Sequence, residues 1–268
     1  MSRRFRDGNM FVDSHCHIDF PELSSQLPTL LESMSHNQVS HALCVSVNLA
    51  DWPRVIKLAE DHENLFASVG VHPDHEPDGA ELEVADLLSR ASHPRVVAIG
   101  ETGLDYYRLG ENLLWQQQRF RTHIRAALAC GKPLIIHTRS ASNDTIALML
   151  DERAGDAGGV MHCFTETWDV ARAALDLGFY ISFSGIITFK NAADLREVVR
   201  NVPLTQMLIE TDSPYLAPVP FRGKLNQPAY VKHVAECVSV IKNVPVEEVA
   251  RVTTDNFFKL FQHARKSL

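Results

Sequence analysis

A chain of 268 residues with 45% hydrophobic and 22% charged residues carries enough apolar side chain for a large core, which excludes a disordered or fibrous protein. Its formal net charge of −7 excludes a broad basic surface for gripping duplex nucleic acid but leaves room for a local basic pocket. No apolar run approaches the roughly 20 residues of a membrane helix, and the basic start MSRRFRDGNM lacks the apolar segment of a signal peptide.

Residues 1–9 therefore read as a loose extension, with Met10 a possible alternative start, ahead of one domain over 10–268 in a cytoplasmic setting. The cysteines, Cys16, Cys44, Cys130, Cys163 and Cys237, form no C-x-x-C pair and are odd in number. Reduced thiols packed in apolar runs are expected rather than disulfides.

The first apolar run, FVDSHCHI (11–18), reads as a strand. Side chains alternate along a strand, so His15 and His17 project together and Cys16 projects away. Further strand candidates are HALCVSV (41–47), LFASVGVH (65–72), VVAIGETG (96–103), PLIIHTR (133–139), GVMHCF (159–164), YISFSGIIT (180–188) and MLIETDS (207–213). Helical periodicity fills the intervals, for example over 50–62, 80–90, 113–131, 167–178 and 192–200. In the third of these, Leu114, Gln117, Phe120, Ile124 and Leu128 fall near one face, and Gly131 ends the helix. Two more helices are expected near 228–242 and 245–263. Strands alternating with helices imply parallel βαβ units. Eight of them, in a length near the roughly 250 residues of such barrels, give the fold class as α/β, a single (β/α)8 TIM barrel.

Barrel enzymes build their sites at the C-terminal strand ends. Those ends here carry His15 and His17, then His72, then Glu101 and Asp105, then His137, His162 and Asp212. Burying that many imidazoles and carboxylates at one level costs several kcal/mol each unless a cation pairs them. His15, His17, Glu101, His137, His162 and Asp212 exceed the needs of one tetrahedral ion. They match two divalent ions roughly 4 Å apart, with Glu101 bridging, His15, His17 and Asp212 on one ion and His137 and His162 on the other. Nitrogen and oxygen donors without thiolate suit Zn²⁺, Mn²⁺, Co²⁺ or Mg²⁺. Cys16 and Cys163 are expected to turn away and pack.

The segments S-H-C-H-I-D, G-V-H-P, G-E-T-G-L-D-Y-Y, I-I-H-T-R, H-C-F, S-F-S-G, E-T-D-S-P-Y-L-A-P and P-F-R-G-K-L-N-Q-P resemble the TatD-type metal-dependent hydrolases, relatives of the amidohydrolase barrels. The resemblance runs from about Phe11 to the terminal DNFFKLF. It implies a two-metal phosphoesterase, commonly a deoxyribonuclease acting on DNA ends, and it maps ligation onto the same six residues. In many barrel relatives a carboxylated lysine bridges the metals; Glu101 takes that place here.

Beyond the ligands, His72, Arg139, Arg222 and Lys224 are candidates for binding substrate phosphate, and Tyr106, Tyr107 and Phe221 for stacking on a base. The expected chemistry is phosphodiester hydrolysis at nucleic-acid ends, with Glu101 and Asp212 catalytic and Asp212 accepting the proton of the attacking water. The alternatives are hydrolysis of a C–N or C–O bond in a small amide or lactone, for which phosphate-directed cations would be superfluous, and a non-enzymatic metal-dependent binding module. No membrane partner is expected. The sequence leaves the oligomeric state open, a monomer being compatible with it.

Overall fold

All eight apolar runs become strands in the computed structural model, which describes residues 10–76, 81–110 and 113–264. They are β1 (Phe11–Cys16), β2 (Val39–Cys44), β3 (Leu65–Val69), β4 (Val96–Asp105), β5 (Leu134–Arg139), β6 (Gly159–Met161), β7 (Tyr180–Phe183) and β8 (Met207–Ile209). The strands pair in sequential order, every pair parallel. Helices return the chain between them, and helices Val231–Lys242 and Val246–Leu260 follow β8. The seam between β1 and the end of β8 is bridged by Ser14 Oγ donating to the Ile209 carbonyl (3.0 Å), Asp212 N to the His15 carbonyl (2.9 Å) and His17 N to the Ser213 carbonyl (2.8 Å). The result is a TIM barrel. The 1–9 extension lies outside the described residues. No helix among the described residues is long and apolar enough to cross a membrane.

Strand alternation divides the barrel interior from its coat. Val12, Leu43, Phe66, Val97, Ile135 and Leu208 form an inner cluster that Phe257 and Phe261 of the last helix join. Alternate strand residues such as Ala42, Ile99, Ile136 and Ile181 pack in the larger cluster that includes the helices. Fully burying a Phe stabilises the fold by about 1.5–3 kcal/mol, so this apolar interior can hold a polar group cluster in place.

Helix Leu114–Cys130 departs from the expected face. Phe120 and Ile124 are buried, but Leu114 is 77% and Leu128 36% exposed, while Gln116, Arg119 and His123 are buried. The polar groups go inward because the loop after β3 needs partners. Gln116 Nε2 donates to the Pro73 carbonyl (2.8 Å), and its Oε1 accepts from Asp105 N (2.9 Å). His123 Nε2 accepts from Val71 N at 3.0 Å, and Arg119 donates to the His75 carbonyl. These bonds fix both sides of His72. Gly131, at φ 67°, then ends the helix as expected, its N donating to the Ala127 carbonyl at 2.9 Å.

Candidate metal centre

Two strands reach the site through the same irregularity. Asp13 faces Ala42 but Cys16 faces Cys44, so β1 holds one residue more than β2 across that interval. Likewise Ile99 faces Leu134 but Thr102 faces Ile136, so β4 bulges around Gly100–Glu101. A bulge re-aims the side chains beside it. Here the re-aimed residues include His15 and Glu101. Gly103 permits the close run of β4 along β5: it has φ 134°, and a Cβ there would lie 1.9 Å from the His137 carbonyl oxygen.

Glu101 is 2% exposed and faces histidines with both oxygens. Oε1 lies 2.7 Å from His162 Nε2 and 3.2 Å from both His72 Nε2 and His137 Nδ1. Oε2 lies 3.3 Å from His15 Nε2 and 3.9 Å from His17 Nε2. Asp212 Oδ1 completes the second side, 3.4 Å from His17 Nε2 and 3.7 Å from His15 Nε2. Asp212 has φ 55°, a left-handed conformation uncommon outside glycine, which follows the early end of β8 at Ile209. His15, His17 and Asp212 form one group with ligand atoms within 4.8 Å of one another, and His72, Glu101 and His137 form another.

The donor set fits divalent ions. Each of four imidazoles has an acceptor for its outward nitrogen: His17 Nδ1 with the Val45 carbonyl (2.9 Å), His72 Nδ1 with Asp74 (2.5 Å), His137 Nε2 with Asp105 (3.1 Å) and His162 Nδ1 with Glu210 (3.3 Å). An N–H donated outward leaves a lone pair facing the centre, the arrangement that orients metal-binding histidines. The inward nitrogens then face one another, His15 Nε2 and His17 Nε2 at 3.3 Å and His72 Nε2 and His137 Nδ1 at 3.3 Å. Buried His162 Nε2 has no hydrogen-bond partner even though Glu101 is 2.7 Å away. Converging lone pairs and an orphaned ring nitrogen are what a cation satisfies.

The same crowding sets the electrostatics. Burial pushes the Glu101 carboxyl up, but His162, His72, His137 and His15 outweigh it and hold it well below the usual carboxylate range. Burial opposes the His72 imidazolium, yet Glu101 and Asp74 bring its pKa up to about 9. Asp212 is likewise held low against its burial by His17, His15 and His162.

The structure brings all six expected ligands together and adds His72, which the sequence had set aside for substrate. Asp13, on the same alternation as the histidines, does not join them. It accepts from Thr211 N (2.8 Å) and Thr211 Oγ1 (2.5 Å) and braces β1 against the chain after β8. Cys16 turns away as expected, its thiol donating to the Leu43 carbonyl at 3.3 Å. Cys163 does not: β6 ends at Met161, so strand alternation no longer applies, and Cys163 lines the cavity with its thiol 3.3 Å from Ser184 Oγ. Sequence reasoning missed Glu210 and Asp74, which serve the histidines from behind. The only signal was an acid two residues from a candidate site residue in each case, Asp74 from His72 and Glu210 from Asp212.

Above the histidines opens a cavity of about 580 Å³. Arg108 and Arg139 line one side, with Arg139 lying 3.9 Å over the Tyr107 ring and Arg108 bonded to Asp74 at 2.7 Å. Phe20, Ile186, Tyr215 and Leu216 also line it. Arg222 and Lys224 are not among the lining residues. The loop after β8 folds them over Phe189 (3.7 Å) and Phe221 (5.8 Å) instead. Two of the aromatic residues are also engaged: Phe221 stacks on Tyr230 at 4.0 Å, and the Tyr106 hydroxyl donates to Asp144 at 2.7 Å. Tyr107 alone of the three is largely exposed, at 66%.

The profile of the TatD related DNase family matches residues 12–262, nearly the whole chain. The chain belongs to this family. A relative from Escherichia coli K12, named "Uncharacterized metal-dependent hydrolase YcfH", is 49% identical over 253 residues, covering 93% of this chain and 95% of its own. The similarly named YabD of Bacillus subtilis 168 is 38% identical over 94% of this chain and 99% of its own. The crystal structure of YjjV, a TatD homologue from Escherichia coli K12, superposes with a TM-score of 0.85 at 28% identity, over 94% of this chain and 98% of that one. An organophosphorus hydrolase variant from Deinococcus radiodurans, at 14% identity and a TM-score of 0.67, shares the barrel. With this kinship and its histidine–carboxylate groups, the TatD-family chain is a metal-dependent hydrolase with candidate metal-binding residues.

Proposed function

We propose that this chain is a phosphodiesterase, a deoxyribonuclease-type enzyme acting on nucleic-acid ends through two divalent ions. One observation carries the reading: a single buried carboxylate, Glu101, turns one oxygen to His15 and His17 and the other to His72, His137 and His162. His15, His17 and Asp212 would hold one ion, His72, His137 and His162 the other, and Glu101 would reach both. When bound, such ions supply Lewis acidity to a phosphoryl oxygen and acidify a water molecule.

The remaining steps belong to the chain. Asp212 turns Oδ1 to His15 and His17, which leaves Oδ2 to orient the attacking water and accept its proton. Arg139, its guanidinium carbon 3.9 Å over the Tyr107 ring, has N–H donors for the phosphate and would offset charge that grows during transfer. Phe20, Ile186 and Leu216 restrict water on the opposite side of the cavity.

The lining cations favour an anionic phosphodiester over a neutral lactone or amide. Metal-reconstituted protein should therefore release nucleotides from end-labelled single-stranded DNA or RNA. Turnover of a lactone panel with every nucleic-acid end left intact would replace the phosphodiesterase reading with the amidohydrolase one.

A further inference from the structure

Arginines in this chain are commonly neutralised by a carboxylate: Arg119 pairs with Glu81, Arg121 with Asp151 and Arg125 with Glu152. The loops after β7 and β8 are different. Arg222 and Lys224 are exposed and have no carboxylate within ion-pair distance among the described residues, and neither does exposed Lys190 next to Phe189. Glu236, the acid nearby, is taken by His233 at 2.8 Å. Aromatic rings support the two cations of the β8 loop. Arg222 lies 3.7 Å over Phe189, and Lys224 sits by Phe221, which is itself stacked on Tyr230 at 4.0 Å with 4° between the rings. A guanidinium held on a ring face by a cation–π contact has no carboxylate occupying its N–H donors, which leaves them available to a phosphate.

These loops border the cavity. Val219 N donates to Thr188 Oγ1 at 3.0 Å, tying the β8 loop to the β7 loop. A Cβ on Gly185 would lie 2.2 Å from the Leu216 carbonyl oxygen, so the two loops touch along their backbones. Ile186 from one loop and Tyr215 and Leu216 from the other line the cavity itself.

We propose that the joined β7 and β8 loops form a second binding surface, on which Arg222 and Lys224 hold backbone phosphates of a single nucleic-acid strand whose end occupies the cavity. This rests on the phosphodiesterase reading and extends it: the cavity takes the strand end, and the loops take the strand behind it. The occupant is anionic because the loops offer unpaired cations on a chain of net charge −7. It is a strand rather than a small anion because the two cations lie outside the cavity yet on loops continuous with its wall.

The test measures binding by fluorescence anisotropy, with the metal-loaded Asp212→Asn background used to slow cleavage. Labelled oligodeoxythymidylates of two lengths are compared, a dinucleotide and a strand of about 12 nucleotides. In the parent the longer strand binds more tightly. The Arg222→Gln, Lys224→Gln double variant loses most of that length advantage, and the slope of log affinity against log salt becomes shallower by about 1.4, two contacts at about 0.7 each. Arg90→Gln, which removes an exposed cation from the last turn of helix Val84–Ala91, leaves slope and length advantage as in the parent. A double variant that keeps the parent's length advantage and salt slope overturns the second surface while the nuclease reading stands. A parent that binds neither oligonucleotide, with wild-type protein cleaving none, overturns both.

Discussion

Replacing Asp212 by Asn separates charge from shape at the mouth of the barrel. Asp212 sits at φ 55°, a region that Asn tolerates as well as Asp does. Its backbone N donates to the His15 carbonyl at 2.9 Å, and its carbonyl accepts from Tyr215 N at 3.0 Å; both bonds survive the change. The side chain, 16% exposed, keeps its size and one oxygen toward His17 and His15. Folding should therefore lose no more than about 1 kcal/mol, the scale of one altered hydrogen bond. What disappears is a negative charge and the proton acceptor. General-base contributions of about 10²- to 10⁴-fold correspond to about 3–5 kcal/mol of transition-state stabilisation, so turnover should fall by that much. The assay is single-turnover cleavage of an end-labelled strand at saturating divalent metal, with bound metal measured in the same samples. A fully metal-loaded Asp212→Asn protein that cleaves at the wild-type rate would refute the assignment of Asp212 as proton acceptor.

Two further predictions probe the scaffold. Gly103→Ala places a Cβ 1.9 Å from the His137 carbonyl at φ 134°; strain and overpacking of about 1–3 kcal/mol each should lower Tm by roughly 10 °C, and a thermal scan matching wild type would contradict the close β4–β5 approach. Burial lowers the His123 pKa to about 4, so the folded state holds it neutral while the unfolded chain takes up a proton below about 6.5. Stability from this group is present above pH 6.5 and is lost as pH falls toward 4. By pH 4.5 the loss amounts to about 2–3 kcal/mol, and His123→Gln should remove that share of the pH dependence in urea titrations at pH 7 and 4.5. Identical slopes in the two proteins would mean that His123 is protonated in the fold.

The barrel was legible because its strands are short Val- and Ile-rich runs punctuated by helical periodicity, and each run found its strand. The strand ends were less so. β6 and β8 stop at Met161 and Ile209, earlier than the apolar pattern, because the chain must leave the ladder to swing His162 and Asp212 over the barrel mouth. That exit also brings Cys163 to the cavity, against the alternation rule. The six strand-end groups were marked by position alone, because unpaired imidazoles and carboxylates at one level of a core are costly, and the structure gathers the other five around Glu101. The carboxylates behind them could not. Asp74 sits in a loop without periodicity, and Glu210 became meaningful only when Cys163 N and His162 Nδ1 were seen to converge on it at 2.7 and 3.3 Å. Helix Leu114–Cys130 hid its buried face because Gln116, Arg119 and His123 look like solvent residues until the loop they hold is visible. Arg222 and Lys224 were placed by the sequence on the loop after β8 as candidates for substrate phosphate, and only the fold of that loop shows that they lie over aromatic rings and are not among the residues lining the cavity.

Metal content of the Glu101→Gln protein tests the two-ion centre most directly. Glu101 spans His15 and His17 on one side and His72, His137 and His162 on the other, so losing its charge removes a shared partner from both sites at once. Wild-type protein equilibrated with excess divalent metal and then desalted should retain about two ions per chain. Glu101→Gln should lose both together, each with affinity weakened by at least about 10- to 100-fold. A variant that keeps one ion bound as tightly as wild type, or a wild type that never exceeds one ion, would contradict the bridge.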